Sequence, residues 1–148
     1  MKWHVLCVAM VACLLAAVSA FADKANERDI EKWQGSWTAI SFETDGKPTP
    51  ADDLKKIKLT VSGTGYHFQN GDFSEHGSYR FAASKSPQEL DIVVGDGADK
   101  GKIYRVIYHV EGDRLTICLE KDNQHRPREF TGKAGSGCVL ETWQRARL

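Results

Sequence analysis

The residues able to do chemistry in this chain are few and widely spaced. Beyond the N-terminal segment the histidines are His67, His76, His109 and His125. None lies four residues from another, as on the helix of a zinc protease, and no Cys-x-x-Cys accompanies them. With Asn70-Gly71 as a two-residue turn, His67 and His76 share one strand face, diagonal to each other. That arrangement reads better as two exposed strand histidines than as a metal pair, so no metal ligands are assigned. Ser136 sits between Gly135 and Gly137 but not in Gly-x-Ser-x-Gly, so these glycines speak of backbone freedom rather than of a nucleophile. Gly63-Thr64-Gly65 and Gly95-Asp96-Gly97 do not lead from a strand into a helix, which a phosphate cradle requires. A glycosidase needs two carboxyls about 5–10 Å apart across a cleft, and most acids here fall in turns or on polar faces. No catalytic residue is assigned, and no enzyme is expected.

Cys118 and Cys138 invite a disulfide if the chain reaches an oxidising compartment. Bridged partners on neighbouring strands must share a face. Leu115, Ile117 and Leu119 read as inward, which leaves Cys118 outward. Cys138 has the parity of Leu140. An inward Leu140 bars the bridge, and an inward Val139 and Trp143 permit it. Separate thiols are the preferred reading, with the pair kept as a candidate bridge.

Arg126-Pro127-Arg128-Glu129-Phe130 also supports two readings. As a basic lip, Arg126 and Arg128 meet an anionic group on a ligand. As a structural unit, Phe130 fills the core, Pro127 fixes the turn, and an arginine caps carbonyls or pairs with an acid. The second is preferred, because the segment mixes an apolar anchor with its charges. Tyr66, Phe68, Tyr79, Phe81, Tyr104 and Tyr108 supply aromatic faces, either to a core or to a ligand. The candidate ligand-binding set is therefore Tyr66, Phe68, Tyr79, Tyr104, Tyr108, Arg126 and Arg128.

The elements that must position these residues are short strands. Gly35-Ser36-Trp37 opens the first, with Trp37, Ile40 and Phe42 as its apolar marks; the change of parity between Trp37 and Ile40 predicts a β-bulge. Ahead of it, Ile30 and Trp33 give residues 23–34 the spacing of a short helix with one apolar face. Thr49 to Lys56 reads as one or two helical turns, with Thr49 as cap and Pro50 at the first helical position. Then come Ile57/Leu59/Val61, Tyr66/Phe68, Gly77/Tyr79/Phe81, Leu90/Ile92/Val94, Tyr104/Val106/Tyr108 and Leu115/Ile117/Leu119, each set spaced at a period of two, and a last strand at about residues 138–144. About eight strands joined mostly by short turns predict an all-β antiparallel barrel.

The start of the chain reads as a leader. Lys2 precedes an almost unbroken apolar run from Val5 to Val18, and Ala20-Phe21-Ala22 fits a small-x-small cleavage site, with Val18-Ser19-Ala20 as a second choice. The run is shorter than the roughly 20 residues of a membrane anchor. Residues 1–22 are therefore expected to be a signal peptide, and residues 23–148 one exported domain, periplasmic or extracellular. Lys and Arg together number 20 and so do Asp and Glu. The balance offers no footprint for nucleic acid, and no basic cluster for membrane binding appears.

A short helix, Gly-x-Trp on the first strand and consecutive antiparallel strands resemble the lipocalin-like barrels. That resemblance implies that Trp37, with Gly35 before it, closes one barrel end, and that Arg145 or Arg147 lies against the indole. Over nearly all of residues 23–148, further motifs resemble a family of small, uncharacterised secreted bacterial proteins, enriched in planctomycetes, with a lipocalin-like domain. They include Gln34-Gly35-Ser36-Trp37, Asp45-Gly46-Lys47-Pro48, Gly112-Asp113-Arg114-Leu115, Arg126-Pro127-Arg128-Glu129-Phe130 and Gly135-Ser136-Gly137. The resemblance implies a fold and no activity or cofactor, and Cys138 departs from its pattern. The expected function is binding of a small apolar or amphipathic molecule, and the alternative is a filled barrel serving protein interaction or envelope structure, its protein partner unknown.

Overall fold

The computed structural model describes residues 2–147, with side chains described from residue 18 onward. The expected leader at residues 1–22 lies, as far as residue 17, outside the described side chains. The elements are α1 (Lys2–Trp33), β1 (Gly35–Thr44), β2 (Lys47–Pro48), α2 (Ala51–Leu54), β3 (Ile57–Ser62), β4 (Gly65–Asn70), β5 (Phe73–Ala82), β6 (Gln88–Val94), β7 (Ile103–Glu111), β8 (Arg114–Glu120) and β9 (Cys138–Arg145). From β3 to β9 each strand pairs antiparallel with the next, and β1 pairs with both β3 and β9. The result is a closed barrel of eight strands, with the two-residue β2 as an extra strip on β1. Closure leaves the barrel strands without a free edge.

Period-two patterning puts one side of each strand inside. Strand β3 alternates buried and exposed without exception, with Ile57, Leu59 and Val61 inward. The first strand carries the predicted bulge. Ala39 pairs with Trp143 and Ser41 with Thr142, so Ile40 is the unpaired extra residue. Trp37, Ala39 and Phe42 are buried, whereas Ile40 turns outward and is 41% exposed. The apolar residue that betrayed the bulge is thus the bulged residue itself. The small helix is shorter at its start than the sequence suggests: Pro50 occupies the N-cap position, and no side chain caps it.

One barrel end is sealed. Trp33, at the end of α1, is fully buried and packs edge to face on Tyr79, Phe81 and Tyr108. Asp29, one helical turn earlier, is 3% exposed. It accepts hydrogen bonds from Tyr108 Oη (2.7 Å), Gln88 Nε2 (2.5 Å) and Lys32 Nζ (3.0 Å), which offset the burial of its charge. Asn26 accepts from the backbone N–H of Ala83 at 2.9 Å. Trp37 donates its indole N–H to the Trp33 carbonyl at 2.9 Å. The Arg145 guanidinium lies 4.2 Å from the Trp37 ring centre, donates to the carbonyls of Gln34 and Lys32, and pairs with Asp113 at 3.0 Å. Gly35, at φ 105°, lets the chain turn beneath that guanidinium.

A second, smaller core lies outside the barrel wall. Ile107, Cys118 and Cys138 are buried there with Leu140, on the faces of β7, β8 and β9 that point away from the interior. The 121–137 connection covers them, and Cys118 Sγ reaches the carbonyls of Thr131 (3.4 Å) and Glu129 (3.6 Å).

Candidate functional site

The other half of the barrel interior is not filled. A cavity of about 200 Å³ opens there, lined by side chains from seven strands. Tyr66 and Phe68 come from β4, Phe73, Glu75 and Tyr79 from β5, and Tyr104 from β7, with Leu59, Ile92, Ile117, Leu119, Glu141 and Trp143 completing the lining. Trp143 closes edge to face on Phe42 (4.9 Å) and Phe68 (6.3 Å). Phe73, at the start of β5, is 56% exposed and meets Phe68 at 6.3 Å. The cup is therefore an aromatic-walled recess whose opposite end is blocked by Trp33 and Trp37.

Its shape depends on Gly77. The Tyr66 and Tyr79 rings stack at 4.8 Å, and a Cβ on Gly77 would come within 2.5 Å of the Tyr66 ring. Tyr66 and Gly77 are cross-strand partners, so the ring lies over the position that carries no side chain.

Two acids break the apolar lining. Tyr66 Oη donates to Glu75 Oε1 at 2.7 Å. Burial, and next the Glu75 carboxylate, push the Tyr66 hydroxyl well above its ordinary range, so it stays a donor. Glu141 faces inward on β9, between Ile117 of β8 and Phe42 of β1 in the ladder. Trp143 Nε1 donates to its Oε2 at 3.1 Å. Glu141 is half-buried and lines the cup, and burial pushes its carboxyl up to about 7 from an ordinary 4.5. Among the described residues no lysine, arginine or histidine lines the recess. Lys102 approaches the Tyr104 ring at 5.1 Å without entering the lining.

The residues singled out in the sequence divide cleanly. Tyr66, Phe68, Tyr79 and Tyr104 meet in the cup. Tyr108 does not: it is 1% exposed and committed to Asp29 and Trp33 at the sealed end. Arg126 lies on the outside of the wall. It donates to the carbonyls of Leu90 (2.8 Å) and Val106 (2.6 Å) and pairs with Asp91 (2.5 Å) and Glu89 (3.4 Å), so its donors are spent on the β6–β7 ladder. Arg128 is exposed on the same outer connection, away from the cup lining. Pro127 is buried, but Phe130 is 38% exposed and does not fill the core.

Cys118 and Cys138 share the outer face because Val139, Glu141 and Trp143 form the inward set of β9. Both are free thiols in the structure, and burial pushes Cys118 up to about 11. The histidine pair differs by one step from the expected register. The turn is Gly71-Asp72, so His67 and His76 are directly opposite, with rings stacked at 4.2 Å on the outer face. Their side-chain hydrogen bonds go to Ser74 and Asp96, both at 2.8 Å, and among the described residues no group of acids, histidines and cysteines could hold a metal ion.

The sequence-derived ligand set leaves out the rest of the lining: the inward aliphatics Leu59, Ile92, Ile117 and Leu119, and also Phe73, Glu75, Glu141 and Trp143. The available signal was parity: Glu75 stands two residues before Gly77 and four before Tyr79, and Glu141 two before Trp143. Among the described residues no helix is long and apolar enough to cross a membrane. Comparison with known proteins returns no matching family model, curated protein or solved structure.

Proposed function

We propose that this protein is an exported, non-enzymatic barrel that binds a small apolar or amphipathic molecule in the aromatic cup. The observation that carries the reading is a recess of about 200 Å³ within a barrel whose other half is tightly packed. Engineered apolar cavities of about 150 Å³ take up benzene, so this volume suits one ring with a short substituent. Aromatic walls supply contact area at little conformational cost. The resemblance to lipocalin-like barrels supports the same reading by analogy of fold.

Export rests on the sequence pattern of the leader. The anatomy of α1 is compatible with its removal: Val18 and Phe21 are 63% and 75% exposed, whereas Asn26, Asp29 and Trp33 are tied to the barrel. A protein beginning near residue 23 keeps all three.

Trp143 lines the cup and reports on it. Titration of the protein with single-ring aromatic compounds, long-chain lipids and haem should give saturable fluorescence quenching with the first group alone. Replacing Trp143 with Phe should remove most of the response while calorimetry still detects binding. Absence of saturable binding by every compound overturns the proposal.

A further inference from the structure

We infer that the cup selects a small organic cation, an aryl- or alkylammonium, seating its charged head against Glu141 and Glu75 and its apolar body against Phe68, Tyr104 and Trp143. This rests on the reading of the cup as a binding site and narrows it to one charge class.

An inward position on a barrel strand, flanked by Ile117 and Phe42, is an apolar position by every rule of sheet patterning. A carboxylate there is destabilising unless a partner compensates it. The sealed end shows how this chain treats a buried acid it uses for structure: Asp29 has three side-chain donors, one of them a lysine. Glu141 has one, the Trp143 indole, and among the described residues no basic group pairs with it. An acid left underpaired while facing a cavity has the character of a binding group.

The lining then decides the sign of the ligand. Glu75 and Glu141 both face the recess, and among the described residues none of its walls contributes a positive charge. A fatty acid, a propionate or a phosphate would meet two carboxylates and no counter-charge. A cation meets those carboxylates together with the negative faces of Tyr66, Phe68, Tyr104 and Trp143. Tyr104 already attracts the Lys102 ammonium, at 5.1 Å.

Proton competition gives the inference a signature of its own. The titratable groups around the recess are Tyr66 on β4, Glu75 and Tyr79 on β5, and Tyr104 on β7, with Cys118 on the far side of β8. Burial holds Tyr66 and Tyr79 protonated, leaving Glu141 to respond near neutrality. An ammonium needs Glu141 ionised, so its affinity should rise with pH as the Glu141 proton leaves.

The test uses three probes of one size: phenethylamine, 2-phenylethanol and 3-phenylpropionate, titrated by calorimetry at pH 5.5 and pH 8. Phenethylamine is expected to bind about thirtyfold more tightly at pH 8, the factor set by deprotonating a carboxyl near 7. The alcohol should not change between the two, and the propionate should bind weakest. Glu141→Gln should abolish the pH dependence for the amine, with its urea unfolding curve verifying the fold. Equal affinity for amine and alcohol, or an amine preference that survives both Glu141→Gln and Glu75→Gln, overturns the cation inference and leaves the cup intact. Failure of all three probes to bind overturns both.

Discussion

Replacing Glu141 with Gln should stabilise the protein at alkaline pH and leave it nearly unchanged in mild acid. Gln keeps the shape of the side chain and its acceptor for the Trp143 indole, and removes only the charge. In the folded protein burial raises the carboxyl to about 7, against 4.5 in an unfolded chain. The native state therefore holds a proton that the unfolded state has already lost between those two values, so stability falls as pH rises through that window. Below 4.5 both states are protonated and there is no penalty; above 7 both are ionised and the penalty is complete. At 1.36 kcal/mol per pKa unit, the parent loses about 3 kcal/mol relative to the variant on passing from below pH 4.5 to above pH 7. Urea unfolding at pH 5 and pH 8 measures this, since the difference between parent and variant cancels the titration of every other group. The expected result is a midpoint difference that grows with pH in favour of Gln, at unchanged denaturant slope. A difference that stays flat from pH 5 to pH 8 would refute the claim that Glu141 lies in a water-poor interior.

Three further outcomes follow from the same contacts. Arg145→Lys keeps a cation over Trp37 but loses the planar fork that reaches two carbonyls and Asp113, and should cost about 2 kcal/mol in urea unfolding. Gly77→Ala drives a methyl group into the Tyr66 ring and the Val93 carbonyl, so both thermal stability and probe binding in the cup should fall together. Asp45 accepts the backbone N–H groups of Gly137 and Gly135, which hold its carboxyl below the usual 3.8. Its stabilising effect is present above 3.8 and lost as pH falls through the lower folded value. Asp45→Asn should therefore be less stable than the parent at pH 6, and the two should converge as the parent carboxyl becomes protonated.

The wall of the barrel was legible because alternation is a local signal. Ile57/Leu59/Val61 and Leu115/Ile117/Leu119 announce both a strand and its inward face, and the change of parity after Trp37 announces the bulge. Turn chemistry gave the β4–β5 hairpin but misplaced it by one residue. Gly71, at φ 60°, takes the first central position and Asn70 remains in the ladder, which converts a diagonal histidine pair into a facing one. Parity failed on β9, where Cys138 and Leu140 alternate with Val139 and Trp143 and both faces are apolar. The reason is the outer core: the 121–137 connection folds back over the outside of β7–β9 and buries Cys118, Cys138 and Leu140 with Ile107, so the outer face is apolar as well and period-two patterning cannot tell the two faces apart. The cup was half legible for a related reason. Its tyrosines and phenylalanines advertise themselves, whereas Glu75 and Glu141 break the very pattern by which an inward face is recognised.

The seam between β1 and β9 joins residues that are far apart in the chain: Thr38 bonds the carbonyl of Gln144, 106 positions away. Every other junction from β3 onward is between consecutive strands. A chain that has zipped its hairpins together is still a curled ribbon, with half of β1 lacking its neighbour and Trp37 lacking Arg145. Bringing such remote partners together is the slow part of assembling a β-fold, on the scale of milliseconds to seconds. Only the meeting of β1 and β9 closes the two borders of the ribbon, and that one seam makes it a vessel.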